Sequence, residues 1–393
     1  MKSTSLSRRA FVQRMGCTTA ATGLSTSARW LRAIVQTPTA QSSPRFAYVG
    51  NAQGIHVFAI EGHRWHPLQT IATATPSSLA VHPTQNFLYA THDIDTFHGL
   101  PTGAVEAWAI DPHTGRLTSL NLQPLSLSAT RPSHLAVSPD GRHLAVAAYG
   151  GGAWNLLPID EDGVLQRVSA ILKETGSGPH PHQNASHPHT VAFDATGKFL
   201  LGTDLGSDRL NVFTISDGKL IRASQSRQVP GSGPGSIALH PAGHLLYIAN
   251  ELDASISAFR YNPLTGETGQ LQYRISTLPE DFHGRKSATT LLLHPSGKFL
   301  YTANRRREST HPLADSLIVW SIHPVTGALS PIQRITENLQ LPHAAIITEA
   351  SLFLLNQQSG VLQLTIDTTD GTLGKPTQPL NIREPRSLAF RYA

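Results

Sequence analysis

One pattern returns at nearly constant spacing along this chain: an apolar strand, a tight turn and a second apolar strand. Successive copies lie 56, 56, 46, 54 and 54 residues apart, measured between the equivalent turn residues His82, Ser138, Asp194, His240, His294 and Thr348. Each copy is followed by an alternating strand and a glycine-containing hairpin turn, for example VEAWAIDPHTGRL from Val105. The two patterns together predict one small antiparallel sheet per repeat.

A repeat of this length, built only from strands and turns, is typical of a β-propeller with one blade per repeat. The segment FAYVGN at 46–51 looks like a second strand without a first, and SLAFRYA at 387–393 looks like an innermost strand without a second. Pairing these two segments completes the ring and removes free sheet edges. We therefore predict an all-β fold: a seven-bladed β-propeller over residues 44–393 whose N- and C-terminal strands share one blade.

The charge balance of the chain depends on its first 43 residues. The formal net charge is +5, but this segment contains six basic residues and no acidic one, namely Lys2, Arg8, Arg9, Arg14, Arg29 and Arg32. The remainder carries no net positive charge, so we expect no nucleic-acid partner. Apolar residues make up 39% of the chain and form no run near the roughly 20 that cross a bilayer, so no membrane span is expected in the mature protein.

The N-terminal sequence SLSRRAFVQRMGCTTAATGLSTSA resembles a twin-arginine export signal, because its arginine pair precedes a mildly apolar stretch. A basic tail without a targeting role is the alternative. We expect export to the periplasm, with residues 1–43 serving as signal and linker and with cleavage after Ala28 or Ala40. Cys17 is the only cysteine, so the mature chain would form no disulfide.

Polar residues interrupt the apolar strands at two places in each repeat, where the chain enters the innermost strand and where it leaves the second strand. Because one turn joins these two strands, both places lie on the same face of the ring. The segments include 91–93, 131–134, 187–190, 203–204, 250–251, 284–287, 304–306, 341–343 and 384–387. They predict a polar, charge-mixed mouth on the central channel, the usual place for a binding or catalytic site on such a scaffold. The alternative is that these side chains only solvate the channel and tie loops together.

The segment 178–189 concentrates four histidines, at positions 180, 182, 187 and 189. Imidazoles could bind a metal, but no CxxC or HExxH motif accompanies them, so we predict no metal site and favour hydrogen bonding or a single general base. The sequence contains no nucleophile elbow, phosphate-binding loop or haem-attachment motif. As substrate-binding residues of the mouth we predict His182, His187, Asp204, Arg285, His343 and Arg386.

Several blocks resemble one known family, the seven-bladed lactonase propellers, which include the propeller-type 6-phosphogluconolactonases and the fungal 3-carboxymuconate cycloisomerase. The blocks are HPH at 187–189, DATGKFLLGTDLGSDRL at 194–210, ANELDASISAF at 249–259, STLPEDFHG at 276–284 and SGKFLYTANR at 296–305. The resemblance covers about residues 45–393. It implies a lactonase propeller fold and an active site to which His189, Glu251 and Arg305 contribute.

The chain departs from the family pattern at three places on the same mouth. A Gly-Pro-Arg-His motif reads Gly233-Pro234-Gly235-Ser236, an Ala-Ala-Glu motif reads Ala288-Thr289-Thr290, and a later Pro-Arg reads Pro342-His343. These departures suggest a shifted substrate or lost activity.

The leading hypothesis is a periplasmic lactone hydrolase that needs no metal or cofactor. Glu251 or His189 would act as general base on water, and Arg305 would hold a substrate carboxylate or the developing oxyanion. An unphosphorylated sugar or aromatic-derived lactone is the expected substrate. The alternatives are a non-catalytic propeller that binds a carboxylated ligand or a protein partner, and a muconate-type cycloisomerase.

Overall fold

The structure, a computed structural model, describes residues 43–280, 282, 284–285, 287–306 and 315–392. These residues form 28 β-strands in seven four-stranded antiparallel sheets, and the described part of the chain contains no helix. The predicted export signal, its cleavage sites and Cys17 lie outside the described residues, as does the terminal Ala393.

The sheets are the seven blades, and the strands of each blade follow in order from the innermost to the outermost. Blade 1 contains β28 (Ser387–Tyr392), β1 (Pro44–Asn51), β2 (Gly54–Glu61) and β3 (Arg64–Ile71), and blade 2 contains β4 (Pro76–Val81), β5 (Phe87–His92), β6 (Ala104–Ile110) and β7 (Leu117–Pro124). Blade 3 contains β8 (Pro132–Val137), β9 (His143–Ala148), β10 (Ala153–Pro158) and β11 (Ala170–Lys173). Blade 4 contains β12 (Pro188–Phe193), β13 (Phe199–Asp204), β14 (Arg209–Ser216) and β15 (Lys219–Arg227). Blade 5 contains β16 (Pro234–Leu239), β17 (Leu245–Asn250), β18 (Ser255–Tyr261) and β19 (Thr268–Ser276). Blade 6 contains β20 (Ala288–Leu293), β21 (Phe299–Asn304), β22 (Ser316–Ile322) and β23 (Leu329–Ile335), and blade 7 contains β24 (Pro342–Ile347), β25 (Ser351–Asn356), β26 (Gly360–Thr365) and β27 (Thr377–Leu380).

Burial within a blade follows the position of the strand. The second strands β13, β17 and β21 are buried along their whole length, because each blade is packed between two neighbours and both faces of its middle strands are covered. The outermost strand β19 is mostly exposed. This gradient explains why the second strand of each repeat is the most continuously apolar segment of the sequence.

The N- and C-terminal strands share blade 1, as the sequence predicted. β28 pairs antiparallel with β1 through partners such as Gly50 and Ser387, and the Ser387 hydroxyl donates a hydrogen bond of 2.8 Å to the Pro76 carbonyl oxygen of blade 2. The innermost strand β28 also packs against the innermost strands β4 and β24 on its two sides. The ring is therefore closed, and the seven-blade count is confirmed.

Tyrosine hydroxyls join neighbouring blades at the end of the ring opposite the predicted mouth. Tyr301 on β21 donates a hydrogen bond of 2.9 Å to the carbonyl oxygen of Gly371, which lies in a hairpin turn of blade 7. Tyr48, Tyr89 and Tyr247 make the same bond to Gly115, Gly163 and Gly327 in the blades that follow theirs. Each phenol is buried and so needs a partner, which the turn of the next blade supplies.

Candidate active site

Two equivalent positions in each blade build the mouth of the channel. The first is the residue after the opening residue of the innermost strand, and it carries Ser77, Ser133, His189, Gly235, Thr289 and His343, with Arg386 at the corresponding place before β28. The second is the residue after the second strand, and its amide is fixed by a hydrogen bond to the carbonyl of the incoming segment, as in Glu251 to Gly233 (2.7 Å) and Arg305 to Ser287 (2.9 Å). The strand ladders therefore hold both rings of side chains rigidly around the opening.

All the named members of these rings except Gly235 line a cavity of about 860 Å³ at the end of the channel. Its walls include seven of the residues that the sequence predicted, namely His182, His189, Glu251, Arg285, Arg305, His343 and Arg386. They also include residues that the sequence did not mark individually as site residues, namely Asp93, Arg131, His134, Tyr149 and Asp253. The repeat itself was a signal for three of these, because Asp93, Arg131 and His134 fall in the polar segments that border the predicted mouth.

His189 and Glu251 form a pair across the boundary between blades 4 and 5. His189 Nε2 lies 3.5 Å from Glu251 Oε2, and His189 Nδ1 lies 3.1 Å from the Thr190 hydroxyl oxygen. The side chains of His189 and Glu251 are 26% and 13% exposed, so both reach the cavity while their bodies are packed. A carboxylate beside an imidazole, both open to solvent on one side, is suited to moving a proton to or from a bound water.

Arg305 and His343 form a second contact, between blades 6 and 7. Arg305 Nη1 donates a hydrogen bond of 3.2 Å to His343 Nδ1. Burial, together with the positive charge of Arg305, lowers the pKa of His343 to about 4, although the carboxylate of Glu251 acts in the opposite direction. The His343 imidazole is consequently neutral at ordinary pH, and its Nδ1 can accept a hydrogen bond from Arg305 and orient the guanidinium.

His134, on the innermost strand β8, is another neutral imidazole in the cavity wall. Burial lowers its pKa to about 4, and the proximity of His189 contributes in the same direction. A protonated His134 imidazole would be poorly solvated and would lie close to the imidazole of His189, which explains why the pKa is lowered.

Asp93 lies between two arginines from the neighbouring blades. Its Oδ1 is 3.5 Å from Arg131 Nε of blade 3, and its Oδ2 is 3.5 Å from the Nη1 of Arg386, at the start of blade 1's innermost strand. All three side chains line the cavity.

Two loops meet beside the cavity through His182 and Arg285. An Arg285 Nη atom contacts His182 Nε2, and the rings of His180 and His182 lie 5.4 Å apart. Burial lowers the pKa of His180, and its neighbours His182 and Arg285 lower it further.

The structure places His187 and Asp204 outside the cavity wall. Asp204 is fully buried, and its carboxylate accepts hydrogen bonds from the hydroxyls of Ser186 and Ser207 (both 2.6 Å) and from the amide of His187 (2.7 Å). The His187 ring stacks on Tyr149, with centroids 4.4 Å apart. These residues shape the loop behind His189, and we assign neither of them a contact with substrate.

The reason for this arrangement is strand alternation. Asp204 is the last residue of β13 and faces the interior of the blade, so the next residue, Leu205, faces the cavity. Asn250 and Asn304 occupy the same position and likewise form hydrogen bonds with buried side chains, Asn250 with Ser255 at the start of β18 and Asn304 with Thr277 just after β19. Glu251 and Arg305 follow them in sequence and line the mouth.

The four histidines at 180, 182, 187 and 189 do not come together as a metal site. Within the residues that the structure describes, no group of three or more His, Cys, Asp or Glu side chains could hold a metal ion. His182 contacts Arg285, His187 stacks on Tyr149, and His189 pairs with Glu251. The described residues also include no helix long and apolar enough to cross a membrane.

The fold and the mouth define a class: a seven-bladed propeller with a charge-mixed cavity at one end of its channel. A family profile described as "Lactonase, 7-bladed beta-propeller" matches residues 33–390. The chain belongs to this lactonase family, which confirms the resemblance seen in the sequence.

Relatives and solved structures agree with the family. The chain is 29% identical over 320 residues to a 6-phosphogluconolactonase of Bacillus subtilis, covering 80% of this chain and 87% of that protein. It is 29% identical over 355 residues to a 6-phosphogluconolactonase of Formosa agariphila, covering 86% and 96%. The periplasmic gluconolactonase of Pseudomonas aeruginosa has a similar structure, with a TM-score of 0.79, 25% identity and coverage of 88% of this chain and 98% of that one.

Proposed function

We propose that this protein hydrolyses a lactone at the mouth of its channel, with Glu251, His189 and Arg305 as the catalytic residues. The observation that carries the proposal is the His189–Glu251 pair, 3.5 Å apart across a blade boundary in the wall of the 860 Å³ cavity that Arg305 also lines. The family and the names of the relatives support the reaction class.

In the proposed reaction, Glu251 accepts a proton from a water whose oxygen attacks the lactone carbonyl carbon. The carbonyl oxygen becomes an oxyanion, and the ring C–O bond then breaks. The Glu251–His189 pair returns the proton to the leaving ring oxygen, so the product is a hydroxy acid. A positioned general base of this kind contributes about 10²–10⁴-fold to the rate.

Arg305 would stabilise the oxyanion or hold a substrate carboxylate, because its planar guanidinium suits both. His343 acts as a positioning residue: its neutral Nδ1 accepts a hydrogen bond of 3.2 Å from Arg305 Nη1 and fixes the direction of the guanidinium. The neutrality of His343 matters for this role, since a protonated imidazole would repel Arg305 and lose the acceptor.

We propose a substrate without phosphate, a sugar or aromatic-derived lactone, and a periplasmic location. The twin-arginine-like N-terminus supports export, and a phosphorylated sugar lactone would rarely be met outside the cytoplasm. The structural similarity to a periplasmic gluconolactonase is consistent with this setting.

The test is a lactone panel assayed with purified mature protein and three variants. Glu251→Gln keeps the shape of the side chain but cannot accept the proton, so turnover should fall by about 10²-fold or more with the fold intact. Arg305→Lys should raise KM if Arg305 grips a carboxylate, and lower kcat if it serves the oxyanion. His189→Asn reports whether the histidine shares the proton transfer.

Glu349→Gln is the matched control for Glu251→Gln. Glu349 is an exposed carboxylate in the β24–β25 turn, at the opposite end of the channel. Its substitution should therefore leave turnover unchanged. Near wild-type rates in all three mouth variants would refute the assigned roles.

A non-catalytic propeller that binds a carboxylate is the second candidate, and Gly235 favours it. Gly235 lies next to the pair, since an added Cβ would be 3.7 Å from the His189 ring and 3.8 Å from Glu251 Cβ. The family motif has an arginine at this position, and its absence removes one cation from the proposed catalytic centre. Ligand binding without turnover of any lactone in the panel would favour this second candidate.

A further inference from the structure

The mouth has two halves with different chemistry. Blades 4–7 carry the His189–Glu251 pair and Arg305, whereas blades 1–3 carry Asp93 between Arg131 and Arg386. The second set takes no part in the proton transfer described above, yet it lines the same cavity.

The Asp93 set is open to the cavity rather than sealed as a structural salt bridge. The side chains of Asp93, Arg131 and Arg386 are 21%, 55% and 36% exposed, and each ion pair is a single contact of 3.5 Å. Exposed pairs of this length add little to stability. Each contact uses a different oxygen of Asp93, and a carboxylate oxygen can accept more than one hydrogen bond, so the carboxylate retains acceptor capacity.

The charges in this half suit hydroxyl groups better than anions. Asp93 offers a carboxylate that can accept hydrogen bonds, and the arginines on either side offer N–H donors to hydroxyl oxygens. Asp93 offsets one of the two arginine charges, and its carboxylate would repel a phosphate or a second carboxylate placed between the arginines. A polyhydroxylated chain presents donors and acceptors on neighbouring atoms and matches this arrangement.

We propose that Asp93, Arg131 and Arg386 form a second subsite that binds the hydroxyl groups of a sugar lactone while its ester is held at Glu251. This inference rests on the proposed lactonase activity and selects the sugar lactone over the aromatic-derived one. The cavity of about 860 Å³ lies within the range of small-molecule sites and has room for such a substrate.

The experiment compares two lactones that share a six-membered ring: glucono-1,5-lactone, which carries the hydroxyl groups, and δ-valerolactone, which lacks them. Asp93→Ala should raise KM for gluconolactone by about tenfold or more, because hydrogen bonds to a charged group are lost, and should change kcat/KM for δ-valerolactone less than about twofold. Asp93→Asn keeps one acceptor oxygen and should fall between Asp93→Ala and wild type.

Asp217→Asn is the matched control, because Asp217 is exposed in the β14–β15 turn at the other end of the channel. This control should behave as wild type with both lactones. If Asp93→Ala lowers kcat/KM equally for the two lactones, or leaves KM for gluconolactone unchanged, the subsite proposal is overturned while the lactonase activity stays in place.

Failure of the proposed function gives a different result, since wild type would then hydrolyse neither lactone. In that case the subsite is tested by calorimetry with sodium gluconate and 5-hydroxypentanoate. Selective binding of gluconate that Asp93→Ala abolishes would support the subsite, and equal or absent binding of the two acids would overturn it.

Discussion

Acid should destabilise this protein through two histidines that the fold keeps neutral, His134 and His343. Burial lowers the pKa of each from an ordinary 6.5 to about 4. Because the folded pKa lies below the unfolded one, the unfolded chain binds protons first as the pH falls. Stability is therefore full above about pH 6.5, decreases as the pH falls, and the loss is complete once the pH is below the folded pKa near 4.

The size of the effect follows from the shift. A difference of this magnitude corresponds to about 2 kcal/mol per histidine between pH 7 and pH 5. Both residues line a cavity that water can enter, so we expect about 1–2 kcal/mol for each.

The assay is urea unfolding at pH 7 and pH 5 of wild type and of a His134→Gln, His343→Gln double variant. Subtracting the two pH dependences removes the contribution of the carboxylates, which both proteins share. Wild type should lose about 2–4 kcal/mol more than the variant over this interval. His63→Gln, at an exposed turn position, should keep the wild-type pH dependence. Parallel pH profiles for wild type and the double variant would show that the two imidazoles are not held neutral by the fold.

Three further predictions concern export, ring closure and blade adhesion. Replacing Arg8 and Arg9 with lysine should leave the full-length precursor in the cytoplasm, and an unchanged periplasmic yield in cell fractionation would argue against a twin-arginine signal. Deleting residues 387–393 removes β28 and exposes the edge of β1, so we expect insolubility or a cooperative drop in Tm; a soluble protein that melts like wild type would contradict closure through this strand. Tyr301→Phe leaves the Gly371 carbonyl without its phenolic donor and should cost about 1–2 kcal/mol in urea unfolding. The matched variant Tyr392→Phe, at a half-buried position on β28, has no such inter-blade bond among those described and should cost less.

The sequence alone was enough to predict the architecture, because a propeller repeats one local pattern. Each blade is a run of short antiparallel strands whose hydrophobic period and turn residues are local properties. Closure was also predictable, since two unpartnered half-patterns at the ends of the repeat array have only each other to pair with. The pairing of Gly50 with Ser387 bears this out.

The site could be predicted only as a set of segments. Asp204 is the last residue of β13, whereas Glu251 is the first residue after the equivalent strand β17. This difference of one position decides whether a side chain points into the blade or into the cavity. Hydrogen bonds from Ser186, Ser207 and the amide of His187 hold Asp204 in the blade. Successive side chains of a strand point to opposite sides, so neighbouring residues at a strand end differ completely in environment. The sequence does not reveal which residue is the last one paired in the strand.

Contacts between blades were decided by the tertiary structure alone. Arg386 and Asp93 are 293 residues apart in sequence and meet only because β28 closes the ring beside blade 2. His189 meets Glu251 because blades 4 and 5 pack side by side. The neutrality of His343 likewise depends on burial and on Arg305 from the neighbouring blade. The repeat thus determined which positions face the mouth, whereas the ring geometry determined which charges meet there, because those charges come from different blades.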